Sequence, residues 1–195
     1  MCDHGASFDV SLRLGDLSLW ITRGIRSKAI CDTEGLLDKE MAVSAGLGYF
    51  ARNTLVMHPE FGTSFHIGYL LIDHELAPDE PLVGDCGHCT RCRDHCPYGA
   101  IGNYRLEPKR CISYMTQAKD ALSCDLQGFF YGCDICQRVC PQNRVEAYEE
   151  ALIYSVDYFN DLSHREFNKK CRDKEFAWIG KNKVIRNCSM NRRHS

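Results

Sequence analysis

The sequence predicts an α+β protein: a segment of mixed helix and strand, then a cysteine-rich domain of short helices and loops, then a helical, basic tail. Three observations predict it. Two tight cysteine runs occupy the middle of the chain, two β-like runs separated by a turn precede them, and the closing segment combines a helix-start signature with surplus positive charge.

The elements follow in order. Leu12, Leu14, Leu17, Leu19 and Trp20 predict a short helix within residues 8–27. Residues 33–45 read as a helix, because Leu37 and Met41 lie four apart with Leu36 and Val43 nearby. Gly46 and Gly48 end it. Residues 54–58 and 65–72 are β-like, and Pro59-Glu60-Phe61-Gly62 between them predicts a hairpin. Residues 73–85 are acidic, contain Pro78 and Pro81, and read as a linker. Residues 146–154 predict a helix, and Ser163 with Glu166 makes a capping box for another that runs to about Cys171. The domain boundaries expected from this are 1–80, 81–145 and 146–195.

A chain of 195 residues forms one domain or two small ones. It contains no apolar run long enough to span a membrane, and its first residues do not resemble a signal peptide, so a cytoplasmic protein is expected. The net charge of −2 conceals an asymmetry. From His164 to Ser195 there are ten Lys and Arg against three Asp and Glu, while the rest of the chain has fourteen against twenty-three. A basic tail that holds Phe167, Phe176 and Trp178 could track a phosphate backbone and stack on bases; the alternative is a solvated helix face with a frayed end.

The first cysteine run is Cys86, Cys89, Cys92 and Cys96, with Pro97 next; the second is Cys133, Cys136 and Cys140, with Pro141 next. The spacing C-x2-C-x2-C-x3-C-P is that of bacterial ferredoxins, in which three thiolates hold one 4Fe-4S cluster and the fourth crosses to the other. Applied here, the crossover rule gives Cys86, Cys89, Cys92 and Cys140 to the first cluster, and Cys96, Cys133 and Cys136 to the second. Cys111, between the runs, completes the second, with Cys124 as the alternative. Each proline biases the cysteine before it toward an extended backbone, which turns that thiolate away from its local loop.

A four-cysteine zinc site would use paired C-x2-C units, and a third cysteine at the same spacing followed by C-P exceeds what one tetrahedral ion needs. Closely spaced cysteines in a chain without a secretory signal point to metal or redox chemistry rather than disulfides. Cys2, Cys31, Cys124, Cys171 and Cys188 remain, and read as small apolar residues.

The residues around the cysteines are more specific. Cys111-Ile-Ser-Tyr-Met-Thr and Tyr131-Gly-Cys-Asp-Ile-Cys-Gln-Arg-Val-Cys-Pro-Gln-Asn143 resemble the cobalamin-dependent epoxyqueuosine reductase family. So do Asp32-Thr33, Ala45-Gly-Leu-Gly48, Asn53-Thr54, His58-Pro-Glu-Phe-Gly62 and Trp178-Ile-Gly-Lys181 with Ile185-Arg-Asn187. The resemblance covers roughly residues 30–187.

What the resemblance implies is a fold in which the C-terminal part of a corrinoid-binding α/β domain precedes a ferredoxin-like double 4Fe-4S cluster domain and a helical basic tail. It implies two 4Fe-4S clusters and cobalamin as cofactors, and a tRNA carrying epoxyqueuosine at the wobble position as substrate, reduced to queuosine in the last step of that pathway. An electron donor such as ferredoxin or flavodoxin would feed the clusters. Losing the epoxide oxygen as water consumes two electrons and two protons, and no side chain supplies electrons at low potential. By the resemblance Asp32 is the proton donor and lies at the cobalamin; its alternative role is partner to the N-terminus of the following helix. Asn53, Thr54, Ser113, Gly132 and Cys133 would lie beside the corrin by the same analogy, with ordinary packing as the alternative. His58, His66 and His74 are not assigned to iron or cobalt.

The chain departs from the family at three places. Asp32-Thr-Glu-Gly35 stands for D-T-G-P, Ala51-Arg-Asn-Thr54 stands for G-K-N-T, and the chain begins partway into the corrinoid-binding domain. Two other functions fit the cysteines: an electron-transfer protein with no catalytic centre of its own, and another corrinoid reductase such as a reductive dehalogenase.

Overall fold

A computed structural model describes residues 26–31, 35–119, 124–143 and 154–191. The expected helix within residues 8–27 lies outside these apart from its last two residues, and Ser27 opens a strand instead. Strand β1 (Ser27–Ile30) is followed by helix α1 (Asp38–Ser44), β2 (Tyr49–Phe50), β3 (Val56–Met57) and β4 (Tyr69–Ile72). The strands form two separate antiparallel pairs. β1 pairs with β4, Ser27 opposite Ile72 and Ile30 opposite Tyr69; β2 pairs with β3, Tyr49 opposite Met57.

This differs from the expected hairpin. The turn at residues 59–61 forms, with His58 and Gly62 exchanging backbone hydrogen bonds of 2.8 and 3.0 Å, but the two runs do not pair across it. The backbone N–H of Thr63 donates instead to Asn143 Oδ1 at 2.7 Å, which diverts the chain toward the second cysteine run. Each β-like run pairs with a strand upstream of it.

Helix α1 is shorter than predicted. Gly35 at φ 90° and the N-cap Leu37 at φ −94°, ψ 75° both lie outside helical space, so the helix starts at Asp38; Asp38 and Glu40 in its first turn suit the positive end of the helix dipole. The face it buries is centred on Ala42, while Leu37 is 67% exposed and Met41 40%, so the stripe read as its core face points outward.

The cysteine segment is built from helices of one turn or two: α2 (Arg91–Asp94), α3 (Ile112–Gln117) and α4 (Ile135–Arg138), with a 3-10 turn at Pro108–Arg110. Ile112, Met115, Leu126 and Phe129 make a small core beneath α3. The tail contributes α5 (Val156–Asp161), α6 (His164–Cys171), a 3-10 turn at Glu175–Ile179 and α7 (Lys181–Met190). The Ser163–Glu166 capping box is present in both directions. Residues 146–153 of the helix expected at 146–154 lie outside the described residues, and Tyr154 is not helical.

The tail has its own aromatic core. Phe130 lies 5.5 Å from Phe159 and 5.3 Å from Phe176 between ring centroids, in edge-to-face geometry. Each such pair adds about 0.5–1.5 kcal/mol to the burial of the rings. Phe130 belongs to the cysteine segment, so this core joins tail and cysteine segment. Phe167 and Phe176 are consumed by it, which removes them as stacking platforms; Trp178 remains 65% exposed.

A second joint is polar. Asn187 of α7 is fully buried, and its Nδ2 donates to the carbonyls of Thr116 and Phe130, both at 2.8 Å. Beside it Lys183 Nζ donates to Gln117 O at 2.9 Å and Arg186 Nη1 to Ala118 O at 3.1 Å, capping the open carbonyl end of α3. These tail cations are therefore spent on the protein itself. Asn187→Ala strands two buried carbonyls at once, and is expected to lower stability by about 2–4 kcal/mol, read as a fall in the urea midpoint.

Candidate metal centres

Both cysteine runs fold alike. In the first, Cys89 N–H donates to Cys86 O at 3.1 Å, α2 carries Cys92, and Cys96 N–H donates to Arg93 O at 3.2 Å. In the second, α4 carries Cys136 and Cys140 N–H donates to Gln137 O at 3.1 Å. Helices α2 and α4 pack together, so the two runs face each other.

Two cavities open between them. Cys86, Cys89, Cys92 and Cys140 line the first, with Arg52, Asn53 and Arg91. Cys96, Cys111, Cys133 and Cys136 line the second, of about 230 Å³. Cys140 thus joins the first run, and Cys96 joins the second. Cys124 lines neither: its Sγ lies 3.2 Å from Met115 Sδ, in the small core under α3. Among the other cysteines, Cys171 and Cys188 are buried in the tail core, while exposed Cys31 donates to Ile67 O.

The electrostatics follow the same sorting. Burial raises the Cys92 thiol, and Cys86, Cys140 and Cys89 add to the rise. Burial pushes Cys133 up to about 11, with Cys111 and Cys96 contributing. Cys136 is pushed up to about 12, by burial first and then by Cys133, against a hydrogen bond from Asn53. Left to themselves these groups stay protonated, because sulfur anions this deep need compensating positive charge. Backbone donors already aim at the sulfurs: Arg52 N–H reaches Cys86 Sγ at 3.3 Å, and Ala100 N–H reaches Cys96 Sγ at 3.2 Å. Among the described residues no three Cys, His, Asp or Glu side chains close on a point as they would around one ion. Four sulfurs spread around a cavity, met by N–H donors, suit a cluster that fills the space between them.

A third cavity, about 310 Å³ and open to solvent, adjoins the second. Ser113 and Cys133 line both, and Gly132 (φ 68°) lines the third, where its N–H donates to Thr116 Oγ1. Asn53 and Thr54 do not line this third cavity. Asn53 is buried between the two thiol cavities, and Thr54 lines the second. Asp32 lies outside the described residues. His58 Nδ1 accepts the backbone N–H groups of Glu60 and Phe61, while His66 lines the third cavity.

Sequence reasoning missed the clasp that closes this region. Asn143 is buried; its Nδ2 donates to Thr63 Oγ1 and Gln137 O, both at 2.9 Å, while its Oδ1 accepts Thr63 N–H. Gly62 must be glycine there: it sits at φ 62°, and a Cβ would come within 2.1 Å of Asn143 Oδ1. The signal was present in the Asn143 that closes the second cysteine string, without a partner to give it a role.

A family model described as a 4Fe-4S double cluster binding domain matches residues 85–143. Epoxyqueuosine reductase of Staphylococcus aureus is 35% identical over 176 residues, covering 84% of this chain. The chain belongs to the epoxyqueuosine reductase family. The Bacillus subtilis epoxyqueuosine reductase is 34% identical over 177 residues. A crystal structure of epoxyqueuosine reductase with an epoxyqueuosine-modified stem loop of tRNA-Tyr superposes with a TM-score of 0.78 at 31% identity, over 96% of this chain. The chain spans about half the length of these epoxyqueuosine reductases: 46% of each of the two curated relatives and 55% of the crystallised one.

The raised thiols give the metal-free protein a pH signature. Cys133 and Cys136 hold their protons more tightly when folded than at the ordinary 9.0, so their contribution is complete below pH 9.0 and is lost as pH rises toward about 11 and 12. Thermal melts of metal-free protein should therefore fall as pH rises above 9.0, and fall less in the Cys133→Ala/Cys136→Ala double variant.

Proposed function

We propose that this chain takes part in reducing epoxyqueuosine to queuosine in tRNA, with two 4Fe-4S clusters in the thiol cavities and cobalamin in the open cavity beside the second. The observation that carries this reading is the shared wall. Leu55, Ser113, Cys133, Asp134 and Gln137 line both the second thiol cavity and the open cavity, so one layer of side chains separates the two. Cys86, Cys89, Cys92 and Cys140 hold the first cluster; Cys96, Cys111, Cys133 and Cys136 hold the second. Bound there, the clusters would supply electrons one at a time and the corrinoid would supply the low-potential reduction that no side chain can. Gly132 lets backbone approach the ring closely, and Asp32 gives the proton to the departing oxygen.

The RNA surface is narrower than the tail's composition suggests. Lys183 and Arg186 cap α3, and Lys181 donates to the carbonyls of Asn160 and Leu162. Arg165, Lys169, Lys170 and Lys174, on and just after α6, are exposed and remain for phosphates.

Anaerobic reconstitution with iron and sulfide should load about eight irons per chain. Cys111→Ala should lose roughly half of them, and Cys124→Ala none. The loaded protein should bind cobalamin, seen in its visible spectrum, and convert an epoxyqueuosine stem loop. Full iron with no corrinoid would leave an electron-transfer module instead. Stem-loop affinity should fall with salt, and Lys169→Glu/Lys170→Glu should flatten that slope by about 1–2 units of log K per log salt.

A further inference from the structure

Arg52 is held by everything around it except at one atom. Its Nη1 donates to Asn103 Oδ1 at 2.5 Å and its Nη2 to Gly87 O at 2.9 Å. The guanidinium carbon lies 5.0 Å from the ring centre of Tyr104, whose hydroxyl accepts the backbone N–H of Cys86 at 3.0 Å. Nε remains. Among the described residues it is the buried side-chain nitrogen with no hydrogen-bond partner, and no carboxylate pairs with this arginine. A buried charged donor without an acceptor is costly, and calls for an acceptor that belongs at the site. Arg52 lines the cavity of Cys86, Cys89, Cys92 and Cys140, where sulfur is the acceptor on offer.

The two thiol cavities also differ in charge. Arg52 and Arg91 line the first, with no carboxylate. Lys39 and Asp134 line the second, with Lys39 Nζ donating to Thr54 O at 3.0 Å. Adding an electron to a cluster adds negative charge, which N–H donors to sulfur and nearby cations favour.

We propose that Arg52 tunes the cluster of the first cavity: its Nε–H donates to a sulfur of that cluster, and its fixed charge sets that cluster's reduction potential above that of the second. This rests on the reading that the cavities hold 4Fe-4S clusters. Lysine, which stands at this position in the G-K-N-T pattern, keeps the charge but lacks the planar fork that Asn103, Gly87 and Tyr104 hold in place. The arginine thereby fixes the order in which the clusters fill with electrons.

The test is a potentiometric titration followed by electron paramagnetic resonance, on loaded full-length wild type, Arg52→Lys and Arg52→Met. In Arg52→Met the reduced-to-oxidised ratio of the first cluster at a fixed potential should fall about tenfold, a shift of about 59 mV for one electron, with the second cluster unmoved. Arg52→Lys should fall between that and wild type. Unchanged first-cluster potentials at full iron content, or a shift confined to the second cluster, would overturn the inference and leave the functional reading standing. Should Arg52→Met lose iron, pulsed resonance on protein labelled with nitrogen-15 arginine decides. A coupling present in wild type and lost in Arg52→Lys supports the contact; no coupling, or one that survives the change, refutes it. Wild type that loads no cluster overturns the reading and the inference together.

Discussion

Sulfur buried beside sulfur is the constraint on which this structure turns. Eight thiols are gathered around two adjacent cavities, where burial holds Cys133 and Cys136 far above their ordinary values. A fold that spent these positions on hydrocarbon would gain transfer free energy at each one. Among the described residues the region has little apolar core of its own, chiefly the small group under α3. Its backbone N–H groups turn toward sulfur instead of completing longer helices. The short helices and tight turns are what remains when so much of the chain is organised around what occupies the cavities.

The neighbouring elements act as buttresses to that region from two sides. Upstream, Thr63 and Asn143 clasp the β3 loop to the end of the second cysteine run. Downstream, Asn187, Lys183 and Arg186 fasten α7 to the helix that follows Cys111. Phe130 adds the aromatic joint. Cys111 is separated from the second run by more than twenty residues, and it is α3, pinned from outside by α7, that carries it to the cavity. The tail is therefore structural first, and what it offers to a partner is the residue of charge that these duties leave over.

Much of this was legible in the chain. The crossover rule divides seven cysteines between two groups and leaves Cys111 or Cys124 as the eighth; the cavities are lined by the seven in that division together with Cys111. The Ser163–Glu166 box was readable because a capping box is local, both partners lying within one turn. What escaped was non-local. The turn after His58 has hairpin chemistry, yet Thr63 is taken by a residue eighty positions away, which no pattern near it announces. The Leu37 and Met41 stripe has the right period but faces outward, since periodicity says that a face exists and not what it meets. Phe167, Phe176 and Trp178 looked equivalent beside a run of lysines, and only packing separates the two buried rings from the exposed one. Arg52 read as a departure from the family's G-K-N-T pattern, and only the packing shows its three anchors and its one unanswered donor together.

The exchange of cysteines between the runs bears on assembly. Cys140 belongs to the far run yet lines the first cavity, and Cys96 belongs to the near run yet lines the second. Filling either cavity must therefore close the chain between the runs, and the entropy of that closure falls on whichever is filled first. The other then finds its sulfurs already gathered, with Asn53 shared between them. Closure at one cavity thus spares the other that part of the entropy.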